Sequence, residues 1–145
     1  MQSEQKSNQK VSANPYVALI DEFSDMALAK ERIGDRQGSW REHFTARMGR
    51  RPVALVVEIG CSNGVFLNDI AAERPDSAFV GLDWKYKLIY KCCEKAMAKG
   101  VKNTSFVRGR AQECARIFGT GEVNEVWIFF PDPWPKAAQQ KHRIF

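Results

Sequence analysis

Residues 53–64, Val-Ala-Leu-Val-Val-Glu-Ile-Gly-Cys-Ser-Asn-Gly, constrain the fold more than any other stretch of this chain. A short, unalternated run of Val and Leu reads as a strand buried on both faces, the habit of parallel sheets. It ends at an acid, Glu58, and turns through a glycine-bearing loop. A helical pattern follows, with Phe66, Leu67, Ile70 and Ala71 on one face and Pro75 to close it. Strand, glycine loop and helix form the ligand-side opening of a doubly wound α/β fold. The helix N-terminus offers unpaired N–H groups and a partial positive charge to whatever sits there.

The loop does not carry a dinucleotide fingerprint. That pattern needs three glycines, and this chain has Gly60, Ser62 and Val65 at the three places. What it has instead is two acids: Glu58, and Asp83 at the end of the next apolar run, 78–83. A carboxylate only accepts hydrogen bonds, so one such group can take two hydroxyl donors. The plain alternative is that both acids merely solvate strand ends. Taken with the loop between them, they resemble the class I S-adenosylmethionine-dependent methyltransferases. That resemblance implies S-adenosyl-L-methionine as cofactor, with the loop around Gly60, Ser62 and Gly64 wrapping its methionine part. It also implies Asp83 on the ribose hydroxyls, and the cofactor's sulfonium and ammonium favour an acidic cleft.

The rest of the chain fits such a fold. Residues 1–13 are too polar to pack and are expected to form a disordered tail, leaving 14–145 as one domain. Asn14-Pro15 starts a helix whose apolar face is Tyr16, Leu19, Ile20, Phe23, Met26 and Ala27. Ser39-Trp40-Arg41-Glu42 fits a capping box ahead of a second helix reaching Met48, with His43 read as a surface residue. Residues 84–99 make a helix facing Leu88, Ile89, Cys92, Ala96 and Met97 inwards, ended by Gly100. Its other face carries Lys87, Lys91, Lys95 and Lys99, a solvated ladder on the plain reading and an RNA phosphate contact on the sharper one. Strands at 104–107 and 123–130 flank a short helix at 111–118. The prediction is a Rossmann-like α/β sheet, its four parallel strands ordered 3-2-1-4, preceded by two helices.

Charge and cysteine usage narrow the setting. The formal charge of +5 and pI near 9.1 lean modestly towards an anionic partner. Lys85–Arg110 holds eight Lys or Arg against Glu94 alone. There is no apolar run of membrane-spanning length and no signal peptide, so no membrane partner is expected. Cys61, Cys92, Cys93 and Cys114 lack C-x-x-C spacing and metal-site partners and read as small core residues of a reduced, cytoplasmic protein.

The fourth strand runs into Phe130-Pro131-Asp132-Pro133-Trp134-Pro135-Lys136. Three prolines in five residues stiffen a loop at the carboxyl end of a central strand, where open α/β sheets bind ligands. This run, read with Glu58-Ile59-Gly60, Asn14-Pro15-Tyr16 and Gly38-x-Trp40, resembles the tRNA (guanine-N7-)-methyltransferases over residues 14–145. The resemblance implies Glu58, Gly60, Ser62, Gly64, Asp83, Arg110, Ala111 and Asp132 at the cofactor, Asp132 as the catalytic residue beside the guanine, and Lys136, Lys141 and Arg143 on tRNA. Guanine N7 has a free lone pair, so transfer needs positioning and a nearby negative group rather than a general base.

Four departures accompany the match. Ser62 replaces a loop glycine, Arg110 stands where the family has an acid or amide, and residues 137–140 dilute the basic cluster. The chain also stops 13 residues past Asp132, before the family's remaining strands and its Thr-x-x-Glu motif, which implies truncation. A non-catalytic remnant that binds cofactor or RNA, or joins an assembly, is therefore the competing reading. An amino methyltransferase is the other, although its Asp-Pro-Pro loop differs from the order here. Without further strands, 123–130 is expected to be an apolar sheet edge that self-associates or is covered by the chain's own N-terminal segment or tail.

Overall fold

Leu55–Ile59 (β2) and Ala78–Asp83 (β3) are buried along almost their whole length, as unalternated apolar runs require, and Thr104–Arg108 (β4) is buried as fully although it opens on the polar pair Thr104 and Ser105. The computed structural model describes residues 13–129 and 136–142, with five parallel strands in one sheet. Glu125–Ile128 (β5) lies beside β2, and Ala27–Leu28 (β1) beside β4, giving the order β1-β4-β3-β2-β5. The four expected strands stand in the expected order, and β1 is an addition. The strand expected over 123–130 is shorter within the described residues, and Phe130 lies outside them.

Alternate strand residues feed two cores. Val56, Phe79 and Phe106 pack under Leu67 of α3 (Val65–Glu73) and Ile89, Cys92 and Ala96 of α4 (Tyr86–Lys99). Leu55, Val57, Val80, Leu82 and Val107 pack with Trp40 and Phe44 of α2 (Trp40–Met48) and Ile117 of α5 (Cys114–Ile117). Burying an aromatic such as Trp40 contributes about 1.5–3 kcal/mol. Its indole N–H is not wasted, since it donates to the Ile117 carbonyl at 2.8 Å.

The N-terminal segment departs from its sequence pattern. One helix to Ala27 was expected, but α1 is only Pro15–Ile20, followed by a 3-10 turn at Asp21–Phe23. Met26 N–H closes a turn onto Phe23, and Phe106 N–H then donates to the Met26 carbonyl at 2.9 Å. Ala27 and Leu28 thereby join the sheet against Phe106 and Val107. An open β4 edge in need of partners outweighs a helical periodicity that is apolar under either geometry. The described N-terminal residues thus cover the β4 edge, not the β5 edge proposed for them.

The capping box at Ser39 is also corrected. The Ser39 hydroxyl donates back to the Arg36 carbonyl, and the start of α2 is held by Glu122 instead. One Glu122 oxygen accepts from Trp40 N–H at 2.8 Å, and the other from Gly38 and Gly119 N–H at 3.0 and 2.7 Å. His43, read as a surface residue, is half-buried, with Nε2 3.4 Å from Ser105 Oγ. Burial, then Arg36 and Arg47, push its pKa down to about 3, so the ring is neutral near pH 7. The helix read from Trp84 begins at Tyr86, and the one read over 111–118 divides into a 3-10 turn at Ala111–Glu113 and α5. Cys61, Cys92 and Cys93 are buried as expected, while Cys114 is half-buried.

Among the described residues β5 pairs only with β2 and forms an edge. Val126 is 56% exposed and Phe129 46%. No helix among the described residues is long and apolar enough to cross a membrane.

Candidate cofactor site

The carboxyl ends of β2 and β3 bring five of the predicted residues together. After Glu58 the chain reverses sharply, with Gly60 and Cys61 N–H both donating to the Leu82 carbonyl at 2.8 and 2.9 Å. Gly60 (φ +79°), Ser62 (φ +53°) and Gly64 (φ +75°) all sit in the left-handed region. Ser62 is the one non-glycine there among the described residues, a cost of roughly 1–2 kcal/mol for an L-residue. Two bonds offset it. Ser62 N–H donates to Asp83 Oδ2 at 3.2 Å, and Cys92 Sγ donates to the Ser62 carbonyl at 3.2 Å.

Space and charge at this loop suit a ligand. A Cβ built on Gly60 would meet nothing within 4 Å, so the backbone there faces open space. At Gly64 the reverse holds, because a Cβ would lie 2.8 Å from Cys92 Sγ. Glu58 is 5% exposed, and its Oε2 has no hydrogen-bond partner among the described residues. Burial alone pushes its pKa up to about 7. Asp83 is raised by burial too, against the backbone N–H groups of Lys85 and Ser62 that favour its charged form. A buried carboxylate oxygen left without a donor is costly, and a cationic or N–H-bearing ligand would relieve it.

Asp83 pairs in register with Arg108, and Gly109 N–H donates to the Asp83 carbonyl at 3.0 Å. This brings Arg110 and Ala111 to the same end of the sheet. The Arg110 guanidinium lies over the Trp84 ring, 5.6 Å from its centroid, and Lys85 lies over the same ring at 5.4 Å.

A family described as "Putative methyltransferase" matches residues 52–145. The chain belongs to this methyltransferase family. Two curated relatives are named tRNA (guanine-N(7)-)-methyltransferase. The one from Christiangramia forsetii is 32% identical over 79% of this chain and 49% of its own length. The one from Bdellovibrio bacteriovorus is 32% identical over 88% and 60%. The chain thus spans about half to three-fifths of the length of these relatives. Among solved structures, the aminoglycoside resistance methyltransferase NpmB1 shares the fold, with a TM-score of 0.50 and 24% identity over 63% of this chain and 48% of that one.

Asp132 and Arg143 lie outside the described residues. Lys136 and Lys141 are exposed, flanking or within a 3-10 segment at Ala137–His142. Trp84 is 50% exposed beside Asp83 and precedes α4 instead of opening it.

Proposed function

We propose that this chain is an S-adenosylmethionine-dependent tRNA (guanine-N7-)-methyltransferase acting in the cytoplasm. The observation carrying the reading is the unpartnered Oε2 of buried Glu58, beside the open backbone of Gly60. Family membership and the names of the relatives support the same activity. When bound, S-adenosyl-L-methionine would supply an electrophilic methyl group. Glu58 fits the amino end of that cofactor, and Asp83 fits a pair of ribose hydroxyls. Gly60, Ser62 and Gly64 supply the turn between them, while Arg110 and Ala111 flank the adenine side.

The chain needs no general base towards guanine N7, whose in-plane lone pair is free. Its task is to hold the base in line and to offset the positive charge developing on the purine, contributions that can reach several kcal/mol. Asp132 is the residue proposed for that electrostatic role. Lys136, Lys141 and Arg143 would hold tRNA phosphates.

Methyl transfer from labelled cofactor to unmodified tRNA tests the assignment. Wild type is expected to transfer, and Asp132→Asn to lose transfer by at least a hundredfold while keeping its unfolding midpoint. Cofactor binding without any transfer by wild type would favour a non-catalytic domain and sink this reading. The β5 edge enters as well. Its exposed Val126 and Phe129 suit self-association, so the mass by light scattering should rise with concentration, and a constant monomer mass would refute it.

A further inference from the structure

We infer that the α4 surface is a tRNA-backbone track running from the cofactor end of the sheet to its opposite end. This deepens the tRNA reading proposed above and rests on it. The track begins at exposed Trp84, whose ring lies beneath the cations of Lys85 and Arg110. Arg108 continues it, its guanidinium 5.1 Å from the centroid of Tyr86, the first residue of α4. Lys87, Lys91, Lys95 and Lys99 then follow along the helix.

Four residues advance a helix by about 6 Å, a step comparable to that between successive phosphates of a nucleic-acid strand. The 14 residues of α4 make a rail about 21 Å long. At its far end Lys99 lines an open groove of about 590 Å³ together with Arg50 and Lys102. The lysines thus succeed one another from the first turn of α4 to its last.

Neutralisation along the path is incomplete. Lys91 pairs with Glu94 at 3.1 Å and Lys99 with Asp69 at 2.7 Å. Lys87 and Lys95 have no carboxylate within 4 Å among the described residues. Like charges at this spacing repel by a few tenths of a kcal/mol per pair, a cost that a polyanion would remove. A lipid surface fits less well, because the apolar face of α4 (Ile89, Cys92, Cys93, Ala96) is already buried in the core and has none left to insert. An exposed indole at one end suits base stacking instead.

Charge reversal tests the track. Lys87→Glu, Lys95→Glu and their double variant, made in the 145-residue chain, would be titrated with unmodified tRNA between 50 and 200 mM salt. Arg116→Glu, on α5 across the sheet, serves as the charge control. Each lost phosphate contact should flatten the salt dependence by about 0.7–0.9 in log–log slope. The double variant should therefore lose about 1.5 and bind roughly tenfold more weakly at the lower salt. Arg116→Glu and cofactor binding should stay as in wild type. If the double variant binds tRNA with the wild-type slope and affinity, the track is refuted while the tRNA reading stands. If wild type binds no tRNA, both fall. Binding of anionic phosphatidylserine vesicles in preference to tRNA would overturn the inference in favour of a membrane surface.

Discussion

Gly64→Ala should destabilise the protein by about 3 kcal/mol, a large share of the roughly 5–15 kcal/mol that holds an ordinary domain folded. Two costs add. The residue sits at φ +75°, where an L side chain costs roughly 1–2 kcal/mol. The new Cβ would then lie 2.8 Å from Cys92 Sγ and 3.1 Å from Cys92 Cα. Cys92 is fully buried within α4, so backbone as well as thiol must retreat, and overpacking of that kind costs about 1–3 kcal/mol. Gly60→Ala is the matched control. Its φ is +79°, but a Cβ there meets nothing within 4 Å, so only the conformational cost remains. Urea unfolding of the two variants should differ by 1 kcal/mol or more. Equal losses would show that contact with α4 does not explain the glycine.

Glu58→Gln should have opposite effects on stability and on ligand binding. The folded pKa is about 7 against an ordinary 4.5, because burial disfavours the charge. The folded state therefore holds a proton that the unfolded chain has released. Stability contributed by this group falls as pH rises from 4.5 to 7 and is level above that. The loss is about 3 kcal/mol. Glutamine carries no charge, so the variant should be more stable than wild type at pH 8 and similar near pH 4. Binding runs the other way. A ligand with an ammonium and a sulfonium favours the ionised carboxylate, so wild-type affinity should weaken as pH falls below 7. The variant should bind S-adenosyl-L-methionine at least tenfold more weakly at pH 8, with little pH dependence, in line with a lost hydrogen bond to a charged group of about 1.5–3 kcal/mol. Calorimetric titration and thermal unfolding at pH 5 and pH 8 measure both. Unchanged affinity would remove Glu58 from the cofactor site.

Much of this molecule was legible residue by residue. The unalternated runs at β2 and β3 read as strands buried on both faces, and the spacing from each to the next strand left room for one helix between each pair. Parallel order followed from that connectivity. The turn at Gly60–Gly64 was legible too, since the glycines and the acids on either side of it are local signals. Glu58 and Asp83 therefore stood out before any contact was known.

Tertiary structure decided what depended on distant partners. Ala27 and Leu28 fit a helix face and a strand equally well, and only the free edge of β4 selects the strand. Ser39 and Glu42 satisfy a local capping pattern, yet Glu122, 82 residues from Trp40, reaches α2 first and takes three N–H groups. His43 is half-buried because Ser105 lies beneath it, which no i, i+4 pattern could reveal. Trp84 meets the Arg110 guanidinium, 26 residues on, only because the chain after β4 returns beside the end of β3. Short-range periodicity determined which elements form, because each residue's helix or strand preference is local. Which edge, cap or cation a side chain meets was settled by competition among hydrogen-bond and packing partners far apart in the chain, and a linear sequence does not order that competition.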